Sequence, residues 1–457
     1  MAALKVAYLL LYFPRLTETF VAEEIRCMRS QGVDVQIVSL LKPASEPVQA
    51  VSEALLEFTW YAPGLTNARV WAAQLHFLVN VPRRYFSLLL ELMGQPLRGN
   101  RVSLLLKRLV IFLKAVTAAY YLESQEIQLV HAHFAWLAGG AAWVCARLLN
   151  LPFTATVHAY DVFSQKNDLL SLVGREARHV IAISEANRSA VAAVEGLSAV
   201  SISVIHCGVD CARFQDHSGG RRAGMTDAKL RILSVGSLVV KKGHRHLVEA
   251  CDELRKRGID FTCTIIGGGP EESALLEQIQ ACDLEDRVTL AGPLLQGEVI
   301  AAYLKHDVFV LGATVAADGD KDGIPVVLME AGAMGLPVIS TPVSGIPELV
   351  RHEETGLLVA PGDSAGLAEA IATLAGDPAR RTRLGRNTRA LVQAEFNVES
   401  SAEELAGLFR DTIRHWTFAQ VGEAADHATE RLAGAPALPD DIKDDLGSRS
   451  VQDGYRQ

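Results

Sequence analysis

The chain has little that would staple it from outside or carry it through a membrane. Its seven cysteines are scattered, with no Cys-x-x-Cys pair, which excludes a disulfide scaffold and points to a reducing, cytoplasmic setting. Cys207 and Cys211 stand close together, but no second ligand pair accompanies them, so a zinc knot has no basis. The apolar run at the N-terminus is too short to span a membrane and has no small-residue cleavage site. The longest uncharged run, His131 to Ala146, is interrupted by Gly139-Gly140. No Ser, Cys or Lys sits in an activated-nucleophile pattern. The dinucleotide fingerprint G-x-G-x-x-G is only half present, as Gly267-Gly268-Gly269-Pro270. Low composition bias excludes general disorder: 49% of residues are hydrophobic and 21% charged. The net charge of −9 gives no reason to expect a nucleic-acid partner.

What is present is alternation. Short apolar runs of strand length alternate with helical patterns from Lys5 onward, which predicts parallel sheets and an α/β fold. Residues 1–215 form one such series and 228–395 a second. The polar, Gly-rich stretch 215–229 separates them. A helix over 396–418 is expected to return toward the first domain. Residues 420–457, with eight acids against four bases, read as a disordered tail. At 457 residues two domains are the natural count, and in such doubly wound sheets a ligand site belongs in the cleft outside the strands' C-terminal ends. One segment breaks the acidic trend. Between Arg69 and Tyr120 there are eight Lys/Arg and only one acid, Glu91. The largely helical, apolar and basic insert 69–122 carries the signature of an anionic membrane surface, with packing under the first domain as the alternative.

The chain is organised around residues 318–350. An acidic loop with Asp318, Asp320, Asp322 and Gly323 leads into a helix that Pro325 can open and Gly335 can stop. Free N–H groups around Gly323 and Ile324 and in the turn that Pro325 opens, together with the helix dipole, make an anion site. Asp322 and Glu330 flank it, so a ligand with a central phosphate and hydroxyls at both ends is expected. The loop begins like a calcium-binding EF-hand, but position 12 is Met329, not Glu. Lys242, in a Gly-bounded loop that begins at Gly236-Ser237, is placed to reach a phosphate. In the first series, His158 and Asp161 lie just past a strand end. His131 and His133 alternate at another, where no third metal ligand is evident.

These blocks, in this order, resemble the family-four retaining glycosyltransferases of GT-B fold, closest to the colanic-acid and exopolysaccharide branch. The resemblance covers about residues 4–416. It rests on Phe13-Pro14 with Glu18-Thr19-Phe20, His131-Ala132-His133-Phe134, His158-Ala159-Tyr160-Asp161, His206 to Asp210, Lys241-Lys242-Gly243, Ile266 to Pro270, Gly323 to Met334 and Ser344 to Leu349. It implies two Rossmann-like domains facing a central cleft and transfer from a UDP- or GDP-sugar to a glycan or lipid-linked acceptor, with no cofactor and no metal. Asp322 and His158 are then the catalytic residues; Lys242, Ser237, Gly268, Gly323, Ile324, Pro325 and Glu330 hold the donor; Glu18, Thr19, His133 and Asp161 line the acceptor side. Two positions depart from the family pattern: Asp322 stands where Glu is usual, and Ser237 where an arginine is usual. An epimerase, a hydrolase or a non-catalytic member of the same fold is the alternative.

Overall fold

The computed structural model describes residues 4–15, 18–43, 48–97, 100–163, 168–218 and 229–433. In the N-terminal half, apolar runs with few polar breaks form seven strands: β1 Leu4–Tyr12, β2 Val33–Leu41, β3 Thr59–Tyr61, β4 Leu129–His133, β5 Phe153–Val157, β6 His179–Ala182 and β7 Ile202–Val204. They make one parallel sheet in the order β3-β2-β1-β4-β5-β6-β7. β4 and β5 are buried along their whole length, as strands covered by helices on both faces must be. The C-terminal half adds β8 Leu230–Val235, β9 Phe261–Ile266, β10 Val288–Leu290, β11 Val308–Val310, β12 Val338–Ser340 and β13 Gly356–Leu358. These form a second parallel sheet ordered β10-β9-β8-β11-β12-β13. In each sheet the order reverses at the first strand of its series, so the loops after β1 and β4, and those after β8 and β11, open beside one another at the C-terminal edge.

β3 has no counterpart in the sequence reading. At three residues, Thr59-Trp60-Tyr61 is too short for alternation to register, and only its β-branched and aromatic composition marks it. The insert folds as three helices, Ala68–Asn80, Pro82–Gly94 and Arg101–Leu122. The first and last start at Asn67 and Asn100, whose side chains accept backbone N–H bonds of Arg69 and Ser103.

The chain crosses between the halves twice. The first crossing leaves β7 through Gly208-Val209; residues 219–228, within the expected boundary, lie outside the described residues. The second runs through Phe396-Asn397-Val398. The two crossings are hydrogen-bonded to each other: the Val209 N–H donates to the Phe396 carbonyl (2.9 Å) and the Val398 N–H to the Val209 carbonyl (3.1 Å). A Cβ on Gly208 would sit 2.3 Å from the Val398 nitrogen, so the crossings approach too closely for any residue but glycine there. A helix then runs Val398–Ala433. Its first turns place Phe409 on the rings of Tyr8 (6.3 Å) and His131 (5.0 Å). From Asp411 onward the chain forms a separate unit. The helical backbone takes in 420–433, where a tail is expected, because that stretch is rich in Ala, the strongest helix former; 434–457 lie outside the described residues.

Candidate active site

The acidic loop after β11 meets the lysine loop after β8. Gly243 makes this possible: its φ is +66°, and a Cβ there would lie 1.8 Å from the Gly312 carbonyl oxygen. The Thr314 N–H also donates to the Lys241 carbonyl (2.9 Å). The two loops therefore touch backbone to backbone. Lys242 Nζ lies 2.7 Å from Asp322 Oδ2. Lys241 Nζ lies 3.0 Å from Asp320 and 3.5 Å from Asp322. Burial alone would raise the Asp322 pKa, but Lys242 and Lys241 outweigh it and hold the carboxyl below its usual range. Ser237 and Gly268 are neighbours in the same rim, where the Leu238 N–H donates to the Gly268 carbonyl (3.0 Å). Gly267, at φ +151°, approaches the Gly236 carbonyl so closely that a Cβ would lie 1.9 Å away.

Pro325 is the cap of the next helix, Val326–Ala333, and not its first residue. Its ψ of 126° is extended, and its carbonyl accepts the first intrahelical bond, from Leu328 (2.9 Å). Gly335 ends the helix as expected, at φ +71°. Glu330 sits on the second turn and is almost fully buried. It accepts a hydrogen bond from the Tyr303 hydroxyl (2.9 Å). Burial pushes its pKa up to about 7, against the lowering effect of Tyr303 and Gln296. A small cavity of about 10 Å³ beside it is lined from both halves, by Thr19, Phe20 and Glu23 on one side and Gln296, Val326 and Glu330 on the other. Glu330 is thus set apart from the Lys242–Asp322 pair, at the opposite end of the loop and helix start.

The first domain closes on this loop from the other side. A Cβ on Gly323 would touch Ala159 (3.5 Å) and Ile183 (3.0 Å). Lys321 lies over the Phe163 ring (4.0 Å). His158, next to Ala159, is packed among Phe134 (4.3 Å), Phe20 (5.2 Å) and His133 (5.4 Å). Its ring Nε2 is 3.1 Å from Nδ1 of His133. Burial, then the neighbouring His133, hold its pKa well below the usual histidine value. Asp161 reaches back to accept the His158 N–H (2.9 Å). Burial raises its pKa to about 7 despite backbone N–H bonds from His158, Ala135 and Trp136. Glu18 caps the helix Thr19–Ser30 at its start and pairs with Arg15 (2.9 Å).

Two of the sequence expectations change. His133 is the last residue of β4, at the strand's exit to the following loop, and is fully buried. A third group does stand beside the two histidines: Glu24, whose carboxylate together with His131 and His133 has ligand atoms within 4.8 Å of one another. All four ring nitrogens are nevertheless engaged within the protein. His131 meets Thr154 (2.9 Å) and Thr156 (3.3 Å), and His133 meets Glu24 (3.0 Å) and His158. Glu24 was invisible in sequence because only the packing of helix Thr19–Ser30 on the sheet lets its side chain reach Tyr8 of β1 and His133 of β4. The second change concerns the basic insert. Arg108 is buried against Asp168 (2.9 Å), with both side chains 1% exposed, and donates to the Leu92 and Gln95 carbonyls. Lys114 donates to the carbonyls of Ala62 and Pro63. Both charges serve internal packing, because the carbonyls left open at chain turns need donors there. Among the described residues, the insert's other bases Arg69, Arg83, Arg84, Arg101 and Lys107 are exposed.

Two family models divide the chain between them: "Glycosyltransferase Family 4" matches residues 17–213 and "Glycosyl transferases group 1" residues 221–391. The structure of Anabaena Alr3699/HepE in complex with UDP and glucose superposes with a TM-score of 0.65 at 17% identity, covering 89% of this chain and 99% of that one. Fold and site together define a glycosyltransferase of the two-domain GT-B type. WcaL of Escherichia coli (strain K12), named for colanic acid biosynthesis, is 31% identical over 428 residues, 89% of this chain and all of that protein. The amylovoran biosynthesis glycosyltransferase AmsK of Erwinia amylovora is 40% identical over 214 residues, 46% of this chain and 51% of AmsK. The chain belongs to glycosyltransferase family 4, close to the colanic-acid branch, and is an enzyme of the glycosyltransferase class.

Proposed function

We propose that the enzyme transfers a sugar, with retention of anomeric configuration, from a UDP- or GDP-sugar to a lipid-linked glycan at the inner face of the cell membrane. The observation that carries this reading is the order of three features along the acidic loop and its helix, with the lysine loop facing the first of them. Lys242 and Asp322 form a charge pair at one end, free N–H groups lie in the middle, and Glu330 sits in a gap between the halves at the other. A nucleotide diphosphate fits that order. Its ribose hydroxyls donate to the Glu330 carboxylate, its phosphates take the N–H groups around Gly323–Ile324 and the Lys242 ammonium, and the sugar faces Asp322 and His158. Ser237 and Gly268 border the phosphates.

In the chemical step the acceptor hydroxyl oxygen bonds to the anomeric carbon while the bond from that carbon to the diphosphate oxygen breaks. The hydroxyl proton passes to the leaving diphosphate on the same face. Lys242 and the helix N-terminus stabilise the charge that develops on it, so the scheme calls for no metal and no protein nucleophile. As the diphosphate arrives, Lys242 exchanges its bond to Asp322 for one to phosphate, which releases the carboxylate toward the sugar hydroxyls.

Support for the membrane reading lies on the insert. Of the sixteen exposed large hydrophobic residues among the described ones, nine are there, including Trp71, Leu75, Val79, Phe86, Leu90 and Leu106. No helix among the described residues is long and apolar enough to cross a membrane, so contact would be at the surface. A cleft of about 690 Å³, walled by Leu11, Leu41, Leu106, Ile111 and Leu137 with Lys107 at its edge, opens beside the ends of β1 and β2. Its size and lining suit the chain of a lipid carrier with an anionic head. The test of the transferase reading is sugar transfer, or UDP and GDP release, with purified acceptor, in the wild type and in Lys242→Ala and Glu330→Ala; undiminished turnover in both variants rejects the site. Docking is tested by co-sedimentation with anionic vesicles against a variant neutralised at Arg83, Arg84, Arg101 and Lys107. Equal binding by the two proteins removes the membrane from the proposal.

A further inference from the structure

We infer that Glu24 and His133 are positioning residues: a buried relay running Tyr8–Glu24–His133–His158 decides which ring nitrogen of His158 carries the proton. It leaves Nδ1 of His158 as an acceptor for a hydroxyl of the transferred sugar. What Nδ1 meets rests on the transferase reading above; the relay itself does not.

The chain of bonds is directional. The Tyr8 hydroxyl donates to Glu24 Oε1 (2.9 Å). Burial, reinforced by Glu24, pushes the tyrosine pKa well above its usual value, so Tyr8 keeps its proton. Glu24, as a carboxylate, can only accept. The His133 Nε2 at 3.0 Å from the same oxygen must therefore be the N–H. The relay takes His133 as the neutral imidazole, which has one N–H, so that its Nδ1 is an acceptor. It faces Nε2 of His158 at 3.1 Å, and that nitrogen must donate. His158 is left with its proton on Nε2 and its lone pair on Nδ1. Phe20, Phe134 and His133 confine the ring, and Asp161 fixes its backbone through the His158 N–H. The next residue, Ala159, lies against Gly323 of the acidic loop. The relay thus ends where the two halves meet. The same arrangement accounts for the Glu24–His131–His133 cluster without a metal ion, since every ring nitrogen in it already has a partner in the fold.

Histidine tautomers are read directly by long-range proton–nitrogen NMR on protein labelled at its thirteen histidines, with His158→Asn used to assign the signal. In the wild type His158 is expected as the Nε2–H form. Glu24→Leu removes the acceptor and is expected to give a substantial Nδ1–H fraction. It should also lower kcat about tenfold or more while the donor KM moves less than about threefold. Glu24→Gln keeps a carbonyl oxygen that can accept from both Tyr8 and His133, and should restore the tautomer and most of kcat. A wild-type His158 carrying Nδ1–H, a doubly protonated His133, or a tautomer unmoved in Glu24→Leu overturns the relay. So does stoichiometric zinc held after dialysis that shifts the His131 and His133 signals. If the wild type shows no sugar transfer, the transferase reading fails, while the NMR measurement still decides the relay.

Discussion

The two walls of the gap are built on opposite electrostatic plans. On the C-terminal wall, Lys241, Lys242, Asp320 and Asp322 carry full charges that cancel in pairs, each side chain at least 14% exposed. On the N-terminal wall, His131, His133 and His158 are buried and hydrogen-bonded to Thr154, Thr156, Glu24 and one another. The difference teaches what each wall can do. Partly exposed ion pairs are worth little in stability and exchange partners readily, which suits the proposed exchange of Lys242 from Asp322 to an arriving phosphate. A buried network of single-proton bonds cannot exchange cheaply, which suits orienting a group that must not move.

If the charged wall acts through Lys242, Lys242→Ala should lower kcat/KM by roughly 10²- to 10³-fold, the usual loss when one preorganised donor to a developing anion is removed. A loss under about threefold in steady-state assays would break the contrast. Glu330→Ala should raise the donor KM by roughly 10- to 100-fold, as expected for a charge-assisted hydrogen bond to a ribose. Isothermal titration with UDP and GDP checks it.

The third prediction separates stability from function. Glu330 and Asp161 both have folded pKa values raised to about 7. A carboxyl with a raised pKa adds stability below its unfolded value, and that contribution is lost as pH rises through the folded value. The melting temperature of the ligand-free enzyme should therefore fall between pH 5 and pH 8. Glu330→Gln should remove part of the fall, leaving a variant more stable at pH 8 by about 1–3 kcal/mol, although its activity drops. Thermal melts at both pH values decide this. The smallest effect belongs to Asp320→Asn. It breaks only the outer pair with Lys241, so stability should change by about 0.5–1 kcal/mol and turnover by less than about threefold, in contrast to the inner pair.

Much of this architecture was legible in sequence, and the parts that were not share a cause. Lys242, Ser237, Gly268 and Asp322 could be grouped because each follows a strand, and parallel sheets gather such loops at one edge. His158 and Asp161 were found by the same rule. Glu24 follows no strand. It projects from the middle of a helix, and its meeting with His133 depends on how that helix packs on the sheet, which has no linear signature. Charge was misleading in the insert for a related reason. Arg108 and Lys114 count as surface bases in sequence, but each turns inward to carbonyls that a neighbouring helix end or loop leaves open. Pro325 shifted by one position because its ring fixes φ and leaves ψ free, so the same residue serves as a cap or as a first helical residue.

The paired crossings at Val209 and Val398 set how the gap can widen. Two strands of chain, tied to each other by reciprocal backbone bonds at 2.9 and 3.1 Å, work as the two pins of one door hinge. They permit swing about the line joining them and resist sliding or twisting. Any parting of the walls at Glu330 and Lys242 would turn on these bonds, and the meeting of Ala159 with Gly323 would keep its register.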